Sequence, residues 1–220
     1  TLLGGGVAFE QDGLAAAIDG DRGAVGGDDI GALEAAIGIG HDHAHGFVDG
    51  VSVDLGSGPE PANPFHADRV IAIDSHSSGS DLISCWIGLE PLPLESSSFD
   101  VVTAFDFLEH LPRAIWRDGV VVNTFIDTMS EVWRILKPQG LFVARTPAYP
   151  HPEAFQDLTH VKVITDTTVS YFARRPQADG SVIDAWGPEL GRRYGFKGSF
   201  VLLSQQWDHS HLIWRLQAEK

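Results

Sequence analysis

The chain has 220 residues, with 30 acidic against 15 basic side chains and a formal net charge of −15. Its length suits one domain with a single core, and 43% hydrophobic content with six Trp and twelve Phe excludes a disordered chain. An acidic surface repels phosphate backbones and anionic lipid at long range, which disfavours nucleic acid as a partner.

Residues 1–50 are rich in Gly, Ala and Asp and poor in large apolar groups. Within them "DDIGALEAAIG" predicts a short helix, with Ile30, Leu33 and Ile37 near one face and Gly38 and Gly40 ending it. The rest reads as an irregular extension. "HDHAH" alternates His41, His43 and His45, which a strand would align for a metal. In so Gly-rich a context it reads as a polar tract. The start lacks a basic n-region, and no apolar stretch approaches the about 20 residues needed to cross a bilayer. Cys85 is the single cysteine, so no internal disulfide can form and a reducing cytoplasm is compatible. It sits in the apolar run "LISCWIG" and reads as a buried, inert thiol.

From Val51 strand and helix signals alternate. "VSVDL" (51–55), "RVIAID" (69–74), part of "DLISCWIG", "FDVVTAFDF" (99–107) and "LFVARTP" (141–147) read as strands. "DTMSEVWRILKPQG" (127–140) reads as a helix, with Met129, Val132, Trp133 and Leu136 at helical spacing and a stop at Pro138 and Gly140. "GSFVLLSQQW" and "HSHLIWRLQA" leave no room for a helix between them and predict an antiparallel hairpin. Its Trp207 and Trp214 read as packing residues and its histidines as loop residues. Arg174 with Arg175 and Arg192 with Arg193 read as solvated pairs.

The chemistry gathers where strands end. In an open parallel sheet, ligands bind beyond the carboxyl ends of the strands. "VDLGSGP" sits at such an end, and Gly56 and Gly58 permit a sharp turn and close approach of a ligand. Asp74 ends the next strand, placed to accept hydrogen bonds from a ribose diol. The pattern is not G-x-G-x-x-G, and Pro59, Pro61 and Pro64 do not suit a helix N-terminus held open for pyrophosphate. A nucleoside without pyrophosphate fits better.

These parts continue in order through "LPLESSSFDVV", "LEHL" and "RILKPQG". Together they resemble the class I S-adenosylmethionine-dependent methyltransferases, from about Val51 to the final hairpin. "TPAYPHPEAFQDLTHVKVIT" followed by "YF" is similar to a bacterial, type 11-like subgroup. The resemblance implies a Rossmann-like α/β fold in three layers: a seven-stranded, mostly parallel sheet with an antiparallel C-terminal hairpin. It makes residues 51–220 the methyltransferase domain and 1–50 an extension. Carried onto this chain, it implies that Asp54, Gly56, Ser57 and Gly58 line the methionine end of S-adenosyl-L-methionine. Asp74 would hold the ribose, Leu89 and Glu90 would lie near adenine, and Phe105 and Asp106 would face the sulfonium. Gln139 stands where the resemblance expects Gly, at a cost of about 1 kcal/mol if its φ is positive.

Methylating a hydroxyl requires a group that takes its proton. Of ten histidines, His110, His151 and His160 lie after the fourth and fifth strands, and Asp157 stands three residues before His160. Asp157 and His160 read as an acid–base pair, with His110 as a second base or a loop brace. The expected activity is methyl transfer to a small-molecule or glycan acceptor by a cytoplasmic enzyme, with no metal assigned. Two alternatives stay open. "DFLEH" resembles the metal-binding run of small-RNA 2′-O-methyltransferases, with Asp106, Glu109, His110 and either His151 or His160 as ligands. A non-catalytic nucleoside-binding or scaffold domain of the same fold is the other. The sequence leaves the oligomeric state open.

Overall fold

The computed structural model describes residues 50–75, 82–176, 182–183 and 187–220. The helix and histidine tract expected before residue 50 lie outside these.

Chain order gives eleven strands among the described residues. They are β1 (Val51–Leu55), β2 (Arg69–Asp74), β3 (Leu82–Ser84), β4 (Phe99–Phe105), β5 (Ile115–Arg117), β6 (Val120–Val122), β7 (Leu136–Pro147), β8 (Ala173–Pro176), β9 (Val182–Ile183), β10 (Phe200–Asp208) and β11 (His211–Ala218). Nine form one sheet in the order β3-β2-β1-β4-β7-β11-β10-β8-β9, while β5 and β6 make a separate hairpin. The seven expected strands form its body, and β8 and β9 extend one edge. Strands β3, β2, β1, β4 and β7 run parallel. Strand β11 returns antiparallel to both β7 and β10. The fold is Rossmann-like, mostly parallel, with the antiparallel hairpin at the C-terminal end.

Side chains alternate across the sheet, as pleating requires. On one face Val102, Ala104, Phe142, Ala144, Leu212, Trp214 and Leu216 join the larger core. On the other, Val101, Phe105, Val143 and Ile213 pack with Phe65. Of the two tryptophans expected to pack, Trp214 is fully buried, whereas Trp207 is 42% exposed. The larger face is covered by α1 (Thr124–Ile135), which inserts Phe125, Ile126, Met129, Val132 and Ile135. The Asn123 side chain caps this helix by accepting from the amides of Phe125 and Ile126. Two shorter helices follow, α2 (Glu153–Gln156) and α3 (Gly187–Arg193).

The expected helix over 127–140 stops at Ile135 instead. Proline has no N–H and disfavours helical geometry in the residue before it, so Pro138 forces the chain out early. Leu136 turns extended, pairs with Phe99 and starts β7. Gln139 does take a positive φ, +64°. Arg134 ties the end of α1 to the segment before β4, donating to the carbonyls of Leu92 and Leu94 and pairing with Glu131. Among the described residues no helix is long and apolar enough to cross a membrane.

Candidate active site

Strand β1 pairs with β2 on one side and β4 on the other, so the chain leaves the sheet in diverging directions beyond its end. The glycine loop occupies this switch point. Gly56 and Gly58 have φ of +66° and +59°. A Cβ on Gly56 would lie 2.2 Å from a ring carbon of Phe107, so glycine is what lets the loops after β1 and β4 close on each other. A Cβ on Gly58 would meet nothing within 4 Å. The Gly58 amide donates to Asp74 Oδ2 at 3.0 Å, fixing the loop to the end of β2.

A cleft of about 460 Å³, its open mouth included, lies beside this junction. Gly56, Asp74 and Ser75 form one side, Cys85, Trp86, Ile87 and Leu89 a second, and Phe107, His110, Leu111 and Pro112 a third. The cleft is an apolar slot with one carboxylate, Asp74, at its base. The Cys85 thiol is pushed up to about 11, chiefly by burial and then by the charges of Glu90 and Glu131. It serves as wall, not nucleophile.

Of the residues named from sequence, Gly56, Asp74, Leu89 and His110 line the cleft. Others do not. Asp54 is 3% exposed and spent on architecture, with one oxygen accepting from Thr103 Oγ1 at 2.7 Å and the other from the Ala62 amide at 2.8 Å. Ser57 folds back onto the Gly58 carbonyl. Glu90 turns to solvent. Phe105 belongs to the opposite core, because strand alternation carries it away, and Phe107 is the aromatic at the cleft. Asp106, with φ of +48°, is bound by Arg145 and by His211, whose Nε2 lies 3.1 Å from its Oδ1. The sequence pattern gave no hint of Phe107 or Trp86 beyond an aromatic just after a strand. It set His211 aside, yet pairing of His211 with Pro147 brings the hairpin turn to the carboxyl end of β7.

A short 3-10 turn, Leu108–His110, brings His110 to the cleft, and the segment after β7 packs behind it, with the Val161 and Lys162 amides donating to the Glu109 carbonyl. Glu109 is 1% exposed and accepts from Thr146 Oγ1 at 2.9 Å. The expected Asp157–His160 pair does not form a hydrogen bond: His160 Nε2 and Asp157 Oδ2 are 3.9 Å apart. Asp157 instead accepts from both the amide and the hydroxyl of Thr159, each at 2.7 Å, which hold its carboxyl below the usual carboxylate range. Thr159 Oγ1 is in turn 2.9 Å from His110 Nδ1. His160 Nδ1 is 3.0 Å from the Glu153 carbonyl, and its ring meets that of His110 edge-on with centroids 4.9 Å apart. His151 packs instead against Trp207, at 5.1 Å between ring centres. Glu109, His110 and His160 thus gather one donor atom each within 4.8 Å of one another, and could hold a metal ion.

Residues 54–144 match the family model described as "Methyltransferase domain". No curated protein matches the chain. Several solved structures share its fold. A Bacillus halodurans C-125 protein described as a candidate methyltransferase aligns at a TM-score of 0.53 and 13% identity, over 88% of this chain and 100% of that one. A Burkholderia thailandensis 1,6-didemethyltoxoflavin-N1-methyltransferase, solved with its substrate and S-adenosylhomocysteine, aligns at 0.50 and 14%, over 87% and 76%. A SAM-dependent methyltransferase from Archaeoglobus fulgidus aligns at 0.50 and 11%, over 86% and 94%.

Proposed function

We propose that this chain, a class I S-adenosylmethionine-dependent methyltransferase by its domain and its fold, methylates a small organic acceptor, neutral or cationic, with glycans in that class. The observation that carries this reading is the cleft between the glycine loop and Phe107, with Asp74 at its base. S-adenosylmethionine supplies, when bound, a sulfonium methyl carbon that a nucleophile can attack without covalent help from the protein. The protein's task is then to align, to exclude water and to dispose of a proton.

In this reading Asp74 accepts from the ribose hydroxyls, and Trp86, Ile87 and Leu89 flank the adenine. Gly56 and Gly58 leave room for the amino-acid end, and Asp54 and Ser57 act one step back, by shaping the loop. His110 lines the cleft and is the first candidate to take a proton from a hydroxyl acceptor, with Asp157 behind it through Thr159 and His160 beside it. His151 and Asp106 stand further along the same edge, among Trp207, Arg145 and His211. The net charge of −15 favours an acceptor that is not anionic. One arginine of each exposed pair is engaged by an acid, Arg174 by Glu219 and Arg192 by Glu189, which lowers what the pairs offer RNA.

Calorimetry with S-adenosylhomocysteine tests the cofactor seat, and absence of binding would refute the reading. A screen for methyl uptake by nucleotide sugars, glycans and small heterocycles tests the acceptor class. Cofactor binding with no turnover on any of them would favour a scaffold role.

A further inference from the structure

We propose that Glu109, His110 and His160 form a site for one divalent transition-metal ion of the zinc type, beside the cleft that His110 lines. The first support is which ring nitrogen of each histidine carries the proton. The Thr159 hydroxyl has one hydrogen, and it goes to Asp157 Oδ1, a carboxylate oxygen that only accepts. Thr159 Oγ1 therefore accepts from His110, and Nδ1 of His110 carries the proton. The Glu153 carbonyl also only accepts, so Nδ1 of His160 is protonated too. In its neutral form each imidazole then carries its lone pair at Nε2.

The three residues also lie together in space. His110 Nε2 is 4.0 Å from Glu109 Oε1, and one donor atom from each of the three residues lies within 4.8 Å of the others. Donors around a tetrahedral ion with bonds near 2.1 Å sit about 3.4 Å apart, so closure asks for a contraction of roughly 1 Å. Each donor is also braced from behind: Glu109 by Thr146, His110 by Thr159 and Asp157, His160 by the Glu153 carbonyl. Metal-ligating histidines commonly have such a partner on their other nitrogen, because it fixes the tautomer and the ring. Two imidazoles and one carboxylate select zinc-like ions over magnesium or calcium, which prefer oxygen.

The donor set differs from the one the "DFLEH" resemblance suggested, since Asp106 is held by Arg145 and His211, and His151 by Trp207. Three protein ligands leave a position open, as in sites that bind substrate. His110 also lines the cleft, so that position would serve to hold an acceptor oxygen, and with the ion bound the ion, not the His110 lone pair, would ease loss of the acceptor's proton. This role rests on the methyltransferase reading, whereas the ion site does not.

The test titrates ZnCl2 and MgCl2 calorimetrically into the full chain carrying His41→Ala, His43→Ala and His45→Ala, which removes the N-terminal histidine tract. One equivalent of zinc is expected, with magnesium at least 100-fold weaker. Glu109→Gln and His160→Ala should each weaken zinc by 100-fold or more, and His151→Ala should not. Thr159→Ala should weaken it about 10- to 100-fold while Thr159→Ser stays near the parent. This gentle pair decides the matter if the ligand variants fail to fold. S-adenosylhomocysteine affinity, measured on the same samples, reports the cofactor seat separately. Zinc binding without cofactor binding would support the ion site and count against the methyltransferase reading. Cofactor binding without zinc binding would overturn the ion site, as would equal zinc affinity in Thr159→Ala and Thr159→Ser or in His160→Ala and its parent.

Discussion

Gly56 and Phe107 touch across the switch point of the sheet, and any side chain on Gly56 would begin 2.2 Å from the Phe107 ring. The contact closes the loops after β1 and β4 on each other and sets one wall of the cleft. Gly56→Ala therefore carries two penalties, the left-handed φ of +66° and the clash. It should cost about 2–4 kcal/mol in urea unfolding and should abolish S-adenosylhomocysteine binding. Gly58→Ala meets open space and bears only its φ, so about 1–2 kcal/mol is expected. Equal losses in the two variants would refute this division.

Asp74 both braces the Gly58 amide and faces the cleft. Asp74→Ala should weaken S-adenosylhomocysteine by tenfold or more, read by calorimetry. Asp74→Asn keeps an acceptor for Gly58 and should lose less. Unchanged affinity in the alanine variant would remove the ribose role.

Cys85 should resist alkylation while the protein is folded. Its thiol is raised from 9.0 to about 11, so at pH 8 the thiolate fraction falls on the order of 100-fold. Iodoacetamide labelling followed by mass spectrometry should be slow until denaturant is added, and slower still with bound cofactor, because Cys85 lines the cleft. The sign for stability follows. Below pH 9 both states hold the proton. Between pH 9 and about 11 the unfolded thiol ionises first, so stability declines across that window.

Glu131 and Arg134 hold residues 92–96 against α1. Arg134 donates to the Leu92 and Leu94 carbonyls, and Glu131 accepts from the Leu92 amide at 2.9 Å. Burial raises the Glu131 pKa, but the Arg134 hydrogen bond and charge and the Leu92 amide outweigh it and leave the carboxyl lowered. Its contribution is thus present above the ordinary glutamate pKa and is lost as pH falls through the lowered value. Arg134→Ala should cost about 2–3 kcal/mol at pH 7, since it strips charged partners from partly buried carbonyls. Glu131→Gln should flatten the acid limb of the unfolding curve.

Much of this architecture is legible in the residues. The seven strands of the body, the buried Trp214 and the turn at the two glycines follow from period-two runs and from glycine itself, which are local signals. The end of α1 was misplaced because proline acts on the residue before it, so helical spacing persisted past the point where the backbone could follow. The cleft was half legible. Asp74 and Gly56 lie where a strand end puts them. In a continuous strand Phe105 and Phe107 would share a face, but β4 ends at Phe105 and the positive φ of Asp106, +48°, turns Phe107 to the cleft instead.

The sequence by itself determined the alternation of strands and helices, the site at the carboxyl ends of the strands and the acidic surface, because these depend on residue type and short spacing. Only the tertiary structure decided which polar groups meet. Asp157 reaches His110 through Thr159 although it stands nearer His160 in the chain, and His211 reaches Asp106 from 105 positions away. Hydrogen bonds are directional and short-ranged, so loop conformation selects their partners, and sequence distance does not record it.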